Sequence, residues 1–546
     1  MRPLKVNMRI GRGYRFLLFL TGLAAVMSLF FLWPRSSVFL NVSKAQSSLT
    51  QRESRGKRIY TQGTSPSGKE LLAYLGESSL EVPGNAMPCA NCHGFDGRGK
   101  PEGGVTPTNL TWEALTKPYG ITHPDGRTHP PYTERGLELA ITRGTDPAGH
   151  KLMSVMPRYA MSSEDLADLI AYLRLLGKER DPGITESMIL IGTAGPTKGP
   201  LAEMSQVIRA VTTAFFDELN SQGGIYNRRF EVRFTETGET PAATRAAMES
   251  WLKADQVFAM TGVVLAGSEK EIFPLMAQHE VPLIGPLTLY PETDSPLNRQ
   301  VFYLLSGIDG QARALIDFAA SKPELKQQRI AAVFNQSEIN TRVLRAIDDQ
   351  SKKDGFGVPQ TVEYSSGHFD AAATLKELRQ TGSEIVIFLS DAKDAVALMA
   401  EADKSGWYPT LFLPGAGAEI FGAPYGFNGK MFFSFPTSPA DQSAEGVQEF
   451  RALAEKYKLP PHHLAAQVSA FSSAKILAEA IRRGVKDLSR EKLIQTLEGL
   501  YEYKTGLTPA ITYGPNRRIG AMGAYIVTID LKEKQYVPAS GWININ

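Results

Sequence analysis

Residues Cys89, Ala90, Asn91, Cys92 and His93 carry the clearest chemistry in this chain, because they place two thiols and an imidazole within five positions. A redox-active dithiol would use the two sulfurs and have no need of the adjacent histidine. Covalent capture of a c-type haem needs all three groups: two thiols to add across the vinyl groups and an imidazole beside the second thiol to reach the iron. The pattern therefore points to one covalent haem c, attached at Cys89 and Cys92, with His93 as an axial metal ligand. These are the only two cysteines among 546 residues, so no disulfide framework supports the rest of the chain.

The elements that must position this motif come next. From Arg55 the segment resembles the single-haem cytochrome c family. Its first helix ends in Gly56-Lys57-Arg58-Ile59-Tyr60-Thr61-Gln62-Gly63 and its last runs from Ser162 to Leu173. Leu166, Leu169, Ile170 and Leu173 recur at helical spacing, which makes one apolar stripe able to pack on the first helix, with Ser162 or Ser163 as its N-cap. The resemblance implies an all-α cytochrome c domain over residues 53–180 in which these two helices cross.

It also implies a sixth ligand. The family places a Met-Pro pair and a following aromatic just before its last helix, and here that stretch is Leu152-Met153-Ser154-Val155-Met156-Pro157-Arg158-Tyr159. Met156 is the match, while Met153 and Met161 read as core fillers. A thioether opposite imidazole favours ferrous iron and raises the potential, which suits an electron carrier. Pro107-Thr108-Asn109-Leu110 resembles the family's loop against the haem propionates. His123, His129 and His150 offer an alternative second imidazole but read as solvated loop residues, and 111–131 reads as a surface insertion.

Ahead of this segment, Arg2, Lys5, Arg9, Arg12 and Arg15 form a basic head (1–15), followed by an uncharged run over 16–33 and a polar tether over 34–52. Eighteen apolar residues approach the length of a membrane span. The positive-inside rule then leaves the remainder on the periplasmic side of the bacterial inner membrane. Cleavage after Ser43-Lys44-Ala45 is the alternative, disfavoured by the distance of that site from the apolar run.

Beyond a Gly-Lys-Glu-Arg-Asp-Pro-Gly junction at 177–183, strand-like runs alternate with amphipathic helical runs, the pattern of an α/β fold with largely parallel sheets. The runs Ala214-Phe215-Phe216-Asp217-Glu218-Leu219-Asn220-Ser221-Gln222-Gly223-Gly224-Ile225, Gln256-Val257 leading to Thr261-Gly262, and Val281-Pro282-Leu283-Ile284-Gly285-Pro286 are similar to periplasmic binding proteins of the branched-chain amino acid type. That resemblance implies a type I two-lobed fold over 184–546, with lobe one at about 186–305 and 431–505 and lobe two at about 306–430 and 506–546, closing on a ligand between them. In amino-acid binders of the family a serine in the loop after the third strand holds the ligand carboxylate, but here that position is Ala266, and a second-lobe aromatic is replaced by Ile339. The expectation is therefore a less charged or differently shaped ligand, or none, with Ser268, Thr288, Tyr290 and Glu419 as cleft candidates.

A net charge of +2 without a Lys/Arg block gives no footprint for nucleic acid. No nucleophile–base constellation is visible, so the expected role is an electron carrier and binding protein rather than an enzyme. Its expected partners are a small-molecule ligand and a redox partner protein. Two other readings are an ABC importer receptor with its permease and the cytochrome subunit of an exported dehydrogenase.

Overall fold

The computed structural model describes residues 49–545 apart from 100, 102, 124–125, 179, 266, 293–294, 336, 366, 416–417 and 485–487. The anchor read over 16–33 lies outside the described residues. Among those that are described, no helix is long and apolar enough to cross a membrane. The main division of the chain falls between Arg174 and Leu175 and leaves two compact units.

In the first unit, α1 (Gln51–Gln62) opens with a reciprocal cap, in which Thr50 Oγ1 accepts from the Glu53 amide at 3.3 Å and Glu53 accepts from the Thr50 amide at 2.7 Å. The helix thus begins two residues inside the stretch read as a tether. It stops at Gly63, whose φ of 62° ends the helix in the left-handed conformation. The last helix, Ser163–Leu173, is capped by Ser162, which accepts from the Asp165 amide. The two helices cross at Gly56, where a Cβ would sit 2.0 Å from the Asp168 carbonyl oxygen, so only glycine admits this approach. Arg55 clamps the buried Asp168 carboxylate beside it at 2.5 and 3.1 Å.

This unit is not all-α. Strands β1 (Leu72–Leu75), β2 (Leu80–Pro83) and β3 (Arg158–Ala160) form an antiparallel sheet in the order β2-β1-β3. Strands of three or four residues are too short for a period-two pattern, and β3 finds its partner only across most of the unit. Helix α2 (Cys89–His93) follows β2, and α3 (Glu134–Arg143) follows the segment read as a surface insertion. That segment is superficial over most of its length, with Tyr119 exposed, but Leu115 and His129 are buried, and Leu115 shares a small core with Tyr132, Leu137, Ala140 and Ile170.

The second unit holds two sheets. The first joins β4 (Met188–Gly195), β5 (Arg229–Glu236), β6 (Ala259–Thr261), β7 (Leu283–Ile284), β8 (Val301–Leu305) and a late strand, Ile519–Ala521, all parallel. Helices α4 (Ala202–Ser221) and α5 (Glu269–Gln278) cover it. After helix Ile308–Ala320, the second sheet joins β9 (Ile330–Asn335), β10 (Gln360–Tyr364), β11 (Ile385–Leu389), β12 (Thr410–Pro414) and β13 (Met431–Phe435) in parallel, with Gly523–Asp530 and Gln535–Asn544 antiparallel at one edge. Every residue of β11 is buried, as expected of a strand covered on both faces. Helix α6 (Glu338–Lys353) follows β9, and α7 (Ala444–Tyr457) and α8 (Leu464–Arg483) return the chain to the first lobe.

The lobe boundaries differ from the sequence reading. Met431–Phe435 belongs to lobe two, because it pairs with Thr410–Pro414 and Gly523–Asp530. Residues up to Ala521 stay with lobe one, because Ile519–Ala521 pairs with β8. Strand order along the chain does not decide which sheet accepts a strand. Long-range backbone pairing does.

Candidate functional site

Helix α2 is a single turn, so Cys89 and Cys92, three positions apart, lie on one face. They form no disulfide with each other. Burial pushes the Cys89 thiol up to about 12, the reverse of the depressed value a reactive dithiol needs. His93 Nδ1 lies 2.9 Å from the Thr108 carbonyl oxygen. That oxygen can only accept, so Nδ1 carries the proton and Nε2 keeps its lone pair for a metal. Burial also lowers the His93 pKa, which keeps the imidazole neutral. Two adjacent thiols and an imidazole with a free Nε2 fit the covalent attachment and proximal ligation of haem c.

Met156 is half-buried in a loop organised by Arg158, whose guanidinium donates to the carbonyls of Met156, Leu152 (2.9 Å) and Met153 (3.4 Å). Gly144 makes room for it: with a φ of 64°, its absent Cβ would lie 1.7 Å from Arg158 Nε. Strand β1 splints the two parts of the site, because β2 leads into Cys89 and β3 follows directly from the Met156 loop. Tyr159 Oη adds a 2.6 Å bond to the Met87 carbonyl.

Met153, read as core, is largely exposed. The three loop histidines are engaged elsewhere. His150 Nδ1 faces Asp146 at 3.1 Å, and His123 and His129 meet through their Nε2 atoms at 3.0 Å. His129 also lies against the Pro130 carbonyl at 2.8 Å and is buried, not solvated as read.

In the second unit, Ser268 is buried immediately before α5. Thr288 donates to Glu269 Oε1 at 2.7 Å and accepts from the Tyr290 amide at 3.0 Å, so its one hydroxyl proton is already committed. The Tyr290 ring centroid lies 5.9 Å from the guanidinium carbon of Arg342, which projects from α6 of lobe two. Nε and Nη2 of Arg342 are buried and find no hydrogen-bond partner among the described residues. Burial raises the pKa of Asp309 nearby, and the Arg342 charge pulls it back. Thr288 and Tyr290 thus meet Glu269 and Arg342 between the lobes. Glu419 falls in the short helix Ala418–Gly422, and its side chain is outside the description.

Glu269 and Arg342 were not legible in the sequence. On an amphipathic helix a charged residue reads as solvated, and nothing local marks Arg342 as the exception. Tyr159 had a signal, the aromatic after Met-Pro, but its bond to Met87 spans 72 positions.

Comparison with known proteins agrees with both units. Residues 85–177 match the family model for cytochrome c, and residues 188–535 match that for periplasmic binding protein. A Leu/Ile/Val-binding protein homolog of Brucella melitensis is 20% identical over 37% of this chain and 54% of its own length. A leucine-, isoleucine-, valine-, threonine- and alanine-binding protein of Pseudomonas aeruginosa is 22% identical over 40% of this chain and 58% of its own. The chain therefore spans little more than half the length of the curated relatives it matches.

Among solved structures, a branched-chain amino acid ABC transporter protein of Thermus thermophilus with bound valine aligns with a TM-score of 0.54 at 18% identity, over 66% of this chain and 98% of that one. A fatty acid ABC transporter substrate-binding protein of Thermomonospora curvata aligns at 0.53 and 15%, over 67% and 95%. These likenesses establish the fold of the second unit. The chain belongs to the periplasmic binding protein family, and it carries a cytochrome c domain ahead of the binding fold.

Proposed function

We propose that this chain is a membrane-anchored periplasmic c-type cytochrome with a fused solute-binding domain, an electron carrier rather than a catalyst. Cys89 and Cys92 would hold one haem, and His93 and Met156 would supply its iron ligands. The observation that carries this reading is the 2.9 Å contact between His93 Nδ1 and the Thr108 carbonyl, which directs the free Nε2 lone pair to a metal. When bound, the haem supplies one-electron exchange. The chain's own residues orient the ligands: Thr108 sets the His93 tautomer, and Arg158 with Tyr159 holds the Met156 loop. The anchor rests on the apolar run over 16–33 and its basic flank.

In the second unit, Arg342 brings a positive charge to the cleft beside Tyr290, and Glu269 a negative one. A ligand with an anionic group toward Arg342 and a donor toward Glu269 would satisfy both. This revises the expectation of a less charged ligand. The names of the relatives favour a role as the receptor of an ABC importer, with a permease as further partner.

Mass spectrometry of the exported chain tests the first part, with one haem mass added and neither thiol open to alkylation. A colourless protein with two free thiols would leave only the binding reading. Thermal shifts across amino acids, organic acids and amides test the second.

A further inference from the structure

Away from both sites, Glu203, His462 and His463 bring three metal-ligating groups together on lobe one. His462 Nε2 lies 3.2 Å from Glu203 Oε1, and His463 Nε2 lies 3.3 Å from Glu203 Oε2. All three ligand atoms fall within 4.8 Å of one another. A tetrahedral zinc ion with bonds of ~2.0–2.1 Å needs donors about 3.3 Å apart, close to the two histidine-to-carboxylate distances.

Adjacent residues do not ordinarily aim at one point, because successive side chains diverge along a strand or around a helix. These two imidazoles converge because His463 adopts φ 54° and ψ 38°, a left-handed conformation uncommon for a residue with a side chain. His463 occupies the N-cap of α8, yet its side chain makes no capping bond. The strained conformation thus serves the convergence and not the helix end.

The loop is also held from behind. Gln467, buried on α8, donates from Nε2 to the Pro460 carbonyl at 2.6 Å and the His462 carbonyl at 2.7 Å. Pro460 and Pro461 further restrict the approach to His462. Glu203 comes from the first turn of α4, so the third ligand stands on a rigid element. A surface ion pair needs none of this support.

We infer that Glu203, His462 and His463 form a binding site for a zinc-class divalent cation, with three protein ligands and at least one position left to water or an exogenous donor. Two imidazoles and a carboxylate suit zinc, nickel or cupric ions rather than calcium or magnesium, which prefer all-oxygen sets.

The test uses the full haem-loaded chain without a polyhistidine tag, stripped with a chelator and titrated with zinc chloride at pH 7.5. One equivalent is expected by calorimetry and elemental analysis, with nitrogen and oxygen but no sulfur neighbours at the zinc absorption edge. Glu203→Gln and His463→Gln should each weaken binding at least tenfold and leave the haem spectrum unchanged. Absence of a zinc-binding isotherm would overturn the site. So would zinc bound equally by both variants, or zinc lost only when His123 and His129 are replaced.

Discussion

The hydroxyl of Tyr159 donates to the carbonyl of Met87 at 2.6 Å, and so ties the strand after Met156 to the segment just before Cys89. Around this bond, β1 pairs with the strands leading from and toward the two parts of the haem site. Tyr159→Phe keeps the ring and removes the bond. The expected result is full covalent haem but a weakened sulfur-to-iron charge-transfer absorption and a lower reduction potential, with a stability loss of about 1 kcal/mol. An unchanged absorption and potential would show that β1 alone holds the loop.

Gly144 is expected to be intolerant of any side chain. A Cβ there meets the Arg158 guanidinium at 1.7 Å on a left-handed backbone. Gly144→Ala should displace Arg158 from the carbonyls of Leu152 and Met156, at a cost of roughly 1–3 kcal/mol. Chemical denaturation monitored in the haem absorption should show the Met156 ligand lost before the global transition.

Asp146 provides an acid-sensitive brace for the loop ahead of Met156. Its buried carboxylate faces Arg127 and His150 at 3.1 Å and accepts the amides of Ala148 and His150 at 2.9 Å. Burial alone would raise its pKa, but the hydrogen bonds from His150 and Ala148 outweigh it and lower the pKa on balance. A lowered folded-state pKa contributes stability above the unfolded value of about 3.9, and this is lost as pH falls through the folded value. Asp146→Asn should cost ~1–3 kcal/mol at pH 7. Its melting curve should approach that of the unaltered protein below about pH 4. A pH-independent gap between the two would contradict this account.

Arg342 should exchange stability for affinity. Two of its guanidinium nitrogens are buried with no hydrogen-bond partner among the described residues, a cost that Arg342→Met removes. The variant is expected to be more stable without ligand by about 1 kcal/mol and to lose roughly tenfold or more in affinity for any carboxylate found in the thermal-shift panel. Equal affinity in both proteins would remove Arg342 from the cleft.

The helix crossing is the final point. Gly56→Ala places a Cβ 2.0 Å from the Asp168 carbonyl oxygen, and backbone on the other side leaves little room to give. A loss of at least 1–3 kcal/mol is expected, together with reduced haem incorporation when the variant is expressed.

By itself the sequence determined the motif that marks a cytochrome c unit, the two helices of that unit and the α/β character of the binding unit. Each depends on residues close together in the chain: Cys89 to His93 within one turn, the stripe from Leu166 to Leu173, and buried runs such as Ile385 to Leu389. Only the tertiary structure decided that a sheet splints the Met156 loop to the attachment segment, that Met431–Phe435 joins lobe two, and that Arg342 of lobe two turns toward Tyr290 of lobe one. The reason is physical. Helical periodicity and a covalent attachment motif are local properties, whereas strand pairing, and whether a charged side chain finds water or a buried cleft, depend on segments brought together from far along the chain.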